Sequence, residues 1–320
     1  MTPPSSALAR VAGRPRTVIE QAGGGAILAA EEFFLAGLRN PHTRRAYTRH
    51  VEDFLVWCGE NQVPLAAVSP GDAAAWIDSK AASVSTQRMA LAALRRFFAL
   101  LVTRHAILLN PFDSVRGPRR EERREGKAAL ITPAQVGHLI HTIDLSRPVG
   151  LRDRAVLGTL AGTGARVGAI SRLRIRDFRD HGDHRTLRLN EKRGLVREIP
   201  VRTDVDGWIR AYLLVAAANP DPAGPLFRPL ELPATQRFAD RPMPPGTIRA
   251  MLKRRLRDAG LPSIITPHSF RAMVVTDLLT QGVPIEDVQY LVGHAHPSTT
   301  QIYDRRARSV SRNTVERISI

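Results

Sequence analysis

Thr266-Pro267-His268-Ser269-Phe270-Arg271 opens an apolar helical run, and this stretch sets the reading of the chain. His268 and Arg271 stand three apart, so on a helix they share one face. The spacing predicts a helix over 268–281, stopped by Gly282, and another over 284–292 that leads into Gly293-His294. A further helix over 297–303 carries Thr299-Thr300-Gln301-Ile302-Tyr303. Upstream, Thr163 and Gly164 separate helices predicted at 151–162 and 165–174, and Arg166 lies at the start of the second. Thr186 to Leu189 and Val196 to Val201 alternate in polarity and flank Arg193-Gly194, which predicts a hairpin with Lys192 at its tip. Thr132-Pro133 reads as an N-cap followed by Pro at the first helical position, and a helix over 245–259 stops at Gly260.

The residues before 116 have a simpler, helical pattern. Thr43 is a candidate N-cap for a helix whose apolar stripe is Tyr47, Val51, Phe54, Leu55 and Cys58, with Arg44, Arg45, Arg49 and His50 on the other side. Ser85 is a candidate cap for a second helix with the stripe Leu94, Phe97, Phe98 and Leu101, and with Arg88 and Arg95 together on one face. Two helices that each pair an apolar stripe with a basic side suit a clamp on a phosphate backbone, although basic helix faces are also simply solvated. Residues 1–26, rich in Pro, Ser, Gly and Arg, read as a disordered tail. The charged stretch Gly117-Pro118-Arg119-Arg120-Glu121-Glu122-Arg123-Arg124-Glu125-Gly126-Lys127 lacks an apolar stripe and reads as a basic linker that can lie along DNA. The division predicted is a tail (1–26), a helical domain (27–115), a linker (116–130) and a mixed domain (131–320). No internal repeat is evident.

Composition narrows the function. Across 320 residues, 47 Lys and Arg face 30 Asp and Glu, a net charge of +17 spread along the chain, which favours a polyanionic partner. A single cysteine, Cys58, excludes an intrachain disulfide and reads as a core residue. No apolar run approaches the roughly 18 residues of a membrane span, and no secretory signal is evident. An intracellular protein, cytoplasmic and near the nucleoid, is expected. His268, His294 and His296 gain no carboxylate or thiol at ligand spacing, so no metal site is expected.

Taken singly, the polar residues of the second domain have plain readings. An Arg near a helix start is a surface charge, a hairpin-tip Lys is solvated, a helical His is structural, and Tyr303, like Tyr47, Tyr212 and Tyr290, is core. Taken in order, Ala165-Arg166-Val167-Gly168, Lys192, His268-x-x-Arg271, Leu291-Val292-Gly293-His294 and Thr299-Thr300-x-x-Tyr303 resemble the tyrosine recombinases, or phage integrases, over about 131–306. The helical first domain resembles their core-binding domain more loosely. The resemblance implies a mostly α fold with a small antiparallel β-sheet, closing with the first domain as a C-shape around double-stranded DNA. It implies phosphodiester transfer without metal or ATP, by a homo-tetramer on two DNA sites, in the integration or recombination of a mobile element or chromosome. Tyr303 would be the nucleophile that forms a covalent 3′-phosphotyrosyl link. Arg166 and Arg271 would clamp the phosphate, Lys192 would protonate the leaving 5′-oxygen, His268 would assist proton transfer, and His294 would donate a hydrogen bond to the phosphate. Lys192 lies eight residues before Pro200, the spacing the resemblance implies for that lysine. Arg44, Arg45, Arg88, Arg95, Arg119 and Arg120 would contact DNA.

The chain departs from the family at Ala169, where many members carry an acidic residue that supports the first Arg, and at Ala272, where many carry His. Asp177 or another group would have to substitute for the first. The same chemistry serves a type IB topoisomerase-like strand swiveller, and the same fold could serve a DNA-binding protein without catalysis. The terminal stretch Asp304 to Ile320 offers Val315, Ile318 and Ile320 as an apolar patch, either to dock on a neighbouring protomer or to fray.

Overall fold

The computed structural model describes residues 14–36, 40–118, 131–191, 194–216, 221–232, 236–293 and 300. The chain divides into two compact units, Met1–Glu122 and Arg123–Ile320. Their interior is what the apolar stripes require: one hydrophobic core in each.

The first unit holds α1 (Arg14–Gln21), α2 (Gly24–Glu31), a π turn (Glu32–Ala36), α3 (Pro41–Glu60), α4 (Pro70–Ser79) and α5 (Val84–Thr103). Residues 14–21 and 24–26, expected as tail, are helical, and Val18, Ile19 and Ala26 are buried. Pro15 and Gly23 misled the compositional reading because they sit at helix starts, where neither breaks a helix; Gly23, at φ +87°, uses its freedom as the N-cap of α2. The caps differ from those expected. Asn40, not Thr43, caps α3 by accepting from the N–H groups of His42 (2.9 Å) and Thr43 (3.3 Å), with Pro41 first in the helix. Ser83, not Ser85, caps α5 by accepting from Thr86 N–H at 3.3 Å. His50, placed on the basic side by its spacing, is buried one turn before Phe54. Phe54 is the hub of the core, edge-on to Trp76 and Phe112 with centroids 5.2 Å away in each case. Cys58 is buried there, and burial pushes its thiol up to about 12.

The second unit holds α6 (Pro133–His141), α7 (Pro148–Thr163), α8 (Val167–Arg172), β1 (Phe178–Asp180), β2 (Arg185–Asn190), β3 (Val196–Pro200), α9 (Thr203–Ala216), α10 (Pro245–Asp258), α11 (Pro267–Thr280) and α12 (Ile285–Val292). Thr132 caps α6 in a capping box with Gln135. The sheet is antiparallel in the order β1-β2-β3, with Leu187 opposite both Phe178 and Ile199. The β2–β3 hairpin is the one expected; β1, three residues long, is too short for its alternation to show in sequence. Helix α11 is buried on most sides against α7 and α12, which makes it the frame of the unit. The helix expected over 165–174 is shorter, because Arg166 (ψ 138°) and Leu173 (ψ 134°) are both extended. Of the tyrosines expected in the core, Tyr212 is fully buried and Tyr47 partly so, but Tyr290 is 67% exposed on α12. Among the described residues no helix is long and apolar enough to cross a membrane.

Candidate active site

Three elements converge on one cleft. Helix α7 ends at Gly164, whose left-handed φ of +58° turns the chain sharply and leaves Arg166 extended at the start of α8. Helix α11 begins after Thr266, which forms a capping box with Ser269, and this start places His268 and Arg271 at the same point. The resulting cleft, about 350 Å³, is lined by Arg166, His268 and Arg271, with Ala165, Thr266 and Arg249 of α10. Arg249 escaped the sequence reading because nothing about an exposed basic residue on α10 distinguishes it from its neighbours.

Each side chain is held differently. Arg271 is only 2% exposed, and its Nη1 donates to Gly164 O at 2.9 Å, which locks the head of α11 to the end of α7. Arg166 has 42% of its side chain exposed; its Nη1 donates to Glu191 Oε2 at 2.8 Å and to Gly293 O at 3.2 Å. His268 opens to solvent on one side. The protein packed behind it disfavours the charged ring, and the cations Arg271 and Arg166 add to this, so its pKa lies below the ordinary 6.5. The shift favours the neutral imidazole.

The carboxylate that meets Arg166 is Glu191, not Asp177. Asp177 accepts from Arg174 N–H at 2.9 Å and closes a local turn. Glu191 directly follows β2 with its side chain 1% exposed, bonded through Oε2 to Arg166 and through Oε1 to Arg197 Nη2 at 2.7 Å. Burial pushes its carboxyl up, but the hydrogen bonds and charges of the two guanidiniums outweigh this and hold it below the ordinary value. Arg197 in turn donates to the carbonyls of Tyr290 (3.1 Å) and Leu291 at the end of α12. Sequence reasoning missed both residues, since a carboxylate at a hairpin tip reads as solvated. The available signal was Arg197, a charge at a position where the strand alternation calls for an apolar residue.

Lys192, His294 and Tyr303 lie outside the described residues. In sequence, Lys192 follows Glu191 and His294 follows Gly293, both bonded to Arg166, and Thr300, three residues before Tyr303, is buried. In the first unit Arg45 and Arg88 are exposed, Arg44 is half-buried, and Arg88 donates to Pro118 O at 3.2 Å. Arg95 faces inward: Nε donates to Phe112 O (3.0 Å) and Nη2 to Val115 O (2.6 Å), so it clasps its own chain. Arg119 and Arg120 lie outside the described residues. Among the described residues no cluster of His, Cys, Asp and Glu could hold a metal ion.

Comparison with known proteins agrees with this geometry. Residues 129–309 match the phage integrase family model, and residues 31–105 match the phage integrase N-terminal SAM-like domain. The tyrosine recombinase XerC of Herpetosiphon aurantiacus is 32% identical over 272 residues, 82% of this chain and 84% of that protein. The tyrosine recombinase XerD of Lacticaseibacillus casei is 27% identical over 266 residues, 82% of this chain and 86% of that protein. Among solved structures, a lambda integrase dimer bound to a COC′ core site superposes with a TM-score of 0.67 at 16% identity, covering 92% of this chain and 78% of that one. The XerH recombinase bound to its difH substrate before cleavage gives 0.67 at 15%, covering 94% and 86%. The chain belongs to the phage integrase family, a family of tyrosine site-specific recombinases.

Proposed function

We propose that this protein cuts and rejoins double-stranded DNA at specific sites through a covalent 3′-phosphotyrosyl link on Tyr303, and that it acts in the cytoplasm as a homo-tetramer on two DNA sites. One observation carries the reading: Arg166 and Arg271, far apart in sequence, meet beside His268 in a cleft open to solvent. Two guanidiniums suit the non-bridging oxygens of a phosphodiester, because their planar forks match its geometry. Tyr303 Oη attacks phosphorus as His268 assists removal of its proton, the 5′-oxygen leaves with a proton from Lys192, and the P–O bond to the sugar is replaced by one to tyrosine. The link conserves the ester, so the returning 5′-hydroxyl reseals the strand and no cofactor is consumed. His294 adds a hydrogen bond to the phosphate.

The first unit is the core-binding domain, which holds the duplex through Arg44, Arg45 and Arg88, with Arg119 and Arg120 of the linker (116–130) alongside. Arg95 donates to Phe112 O and Val115 O, which favours a structural role for it over a DNA contact. The test uses nicked duplexes bearing a site at which the wild type traps itself on fragments of its host's DNA. Wild type is expected to form an adduct that survives a denaturing gel, while Tyr303→Phe and Arg166→Ala form none and still bind the duplex. An adduct with Tyr303→Phe, or site-independent relaxation of supercoils by wild type, would contradict the reading.

A further inference from the structure

We propose that Glu191 is the positioning carboxylate of this active site, and that with Arg197 it forms a buried strut tying three catalytic segments together. The inference rests on the reading of Arg166 as a phosphate clamp. Glu191 divides its two oxygens between two guanidiniums, Oε2 to Arg166 at 2.8 Å and Oε1 to Arg197 at 2.7 Å. Its own N–H donates to Leu195 O at 2.7 Å, across the tip that contains Lys192. Arg197, 2% exposed, occupies the β3 position opposite Leu189 and crosses to the last carbonyls of α12. The next residue, Gly293, returns its carbonyl to Arg166 at 3.2 Å and precedes His294. The ring therefore runs from Arg166 to Glu191, to Arg197, to the end of α12, and back through Gly293 to Arg166.

Gly293 is required by this closure. It has φ +64°, and a Cβ there would lie 2.5 Å from Arg197 Nε, so only glycine lets the guanidinium pass so near the backbone. A charged strut is justified mechanically. A buried carboxylate paired on both sides has one low-energy geometry, and breaking either pair leaves an uncompensated buried charge. The consequence is that the aim of Arg166, the root of the Lys192 hairpin and the entry to His294 are set together by one carboxylate, just after β2 and not on α8.

The full-length protein tests this in two ways. On the trapped nicked site at saturating DNA, Glu191→Gln is expected to slow adduct formation by tenfold to a hundredfold while DNA affinity changes less than twofold. Glu191→Asp, which keeps the charge and shortens the arm, is expected to fall between, and serves alone if the Gln variant does not fold. Because Glu191 acts through Arg166, adding either change to Arg166→Lys is expected to cost little more, whereas a merely structural role gives losses that multiply. Independently of catalysis, the guanidinium NMR signals of Arg166 and Arg197 are expected to be sharp and exchange-protected in wild type and to lose this in Glu191→Gln. Wild-type rates, multiplicative losses, or unchanged guanidinium signals would each overturn the strut. Failure of wild type to form any adduct would instead remove the recombinase reading, leaving the strut to be judged by the guanidinium signals.

Discussion

Arg271 is among the largest fully buried side chains in the protein, and a guanidinium so placed serves a purpose other than packing. Replacing it by Ala is expected to remove about 3 kcal/mol of transition-state stabilisation, roughly a hundredfold in cleavage rate, measured as single-turnover adduct formation. His268 carries a prediction of opposite kind. Its pKa is lowered, so the folded protein resists protonation of this ring; the associated stability is present above the ordinary 6.5 and is lost as pH falls through 6.5 toward the lowered value. An NMR titration of its ring is expected to give a midpoint below 6.5, and a midpoint above it would remove the neutral proton acceptor. For Glu191 the sign runs likewise at lower pH: its contribution is present above the ordinary 4.5 and is lost as pH falls through the depressed value. Arg166, His268 and Arg271 could be read from sequence because they stand in short contiguous motifs, Ala165-Arg166-Val167-Gly168 and His268-x-x-Arg271, that carry the family resemblance. Glu191 could not, because its meaning depends on the pairing of β2 with β3 and on a guanidinium arriving from the opposite strand.

At the scale of elements, the first unit separates basic residues that hold the fold from those that face outward. Arg95→Ala is expected to lower the thermal unfolding midpoint, by freeing the turn at Phe112 and Val115, with little change in the salt dependence of DNA binding. Arg45→Ala is expected to do the reverse: an unchanged midpoint, weaker binding, and a slope of log affinity against log salt shallower by about 1. Phe54→Ala removes the hub of four ring contacts and is expected to cost about 3–5 kcal/mol by denaturant unfolding. Helix periodicity made α3, α5, α11 and α12 legible. The caps at Asn40 and Ser83 were displaced by two or three residues because neighbouring Ser and Thr offer the same chemistry, and only backbone geometry chooses among them. Tyr290 was misplaced for a related reason: a helical apolar stripe gives a face, but not whether that face is covered.

For the whole molecule, the order of the short motifs carried more than any one of them. Each of the arginines, histidines and Tyr303 has an ordinary explanation alone, and the family match over 129–309 rewards reading them together. The proposed assembly is four copies on two DNA sites, and the apolar residues of the last stretch are its candidate contacts. Changing Val315 and Ile318 to Asp is expected to stop assembly beyond the dimer on DNA by gel filtration; unchanged assembly would remove that stretch from the interface. The central claim is that Tyr303 becomes joined to a 3′ DNA end. Its most direct measurement is proteolysis of the trapped wild-type adduct followed by mass spectrometry of the nucleotide-bearing peptide. The account predicts a phosphotyrosyl link at Tyr303 with a free 5′-hydroxyl on the other DNA end; a link at any other residue, or to a 5′ end, would contradict it.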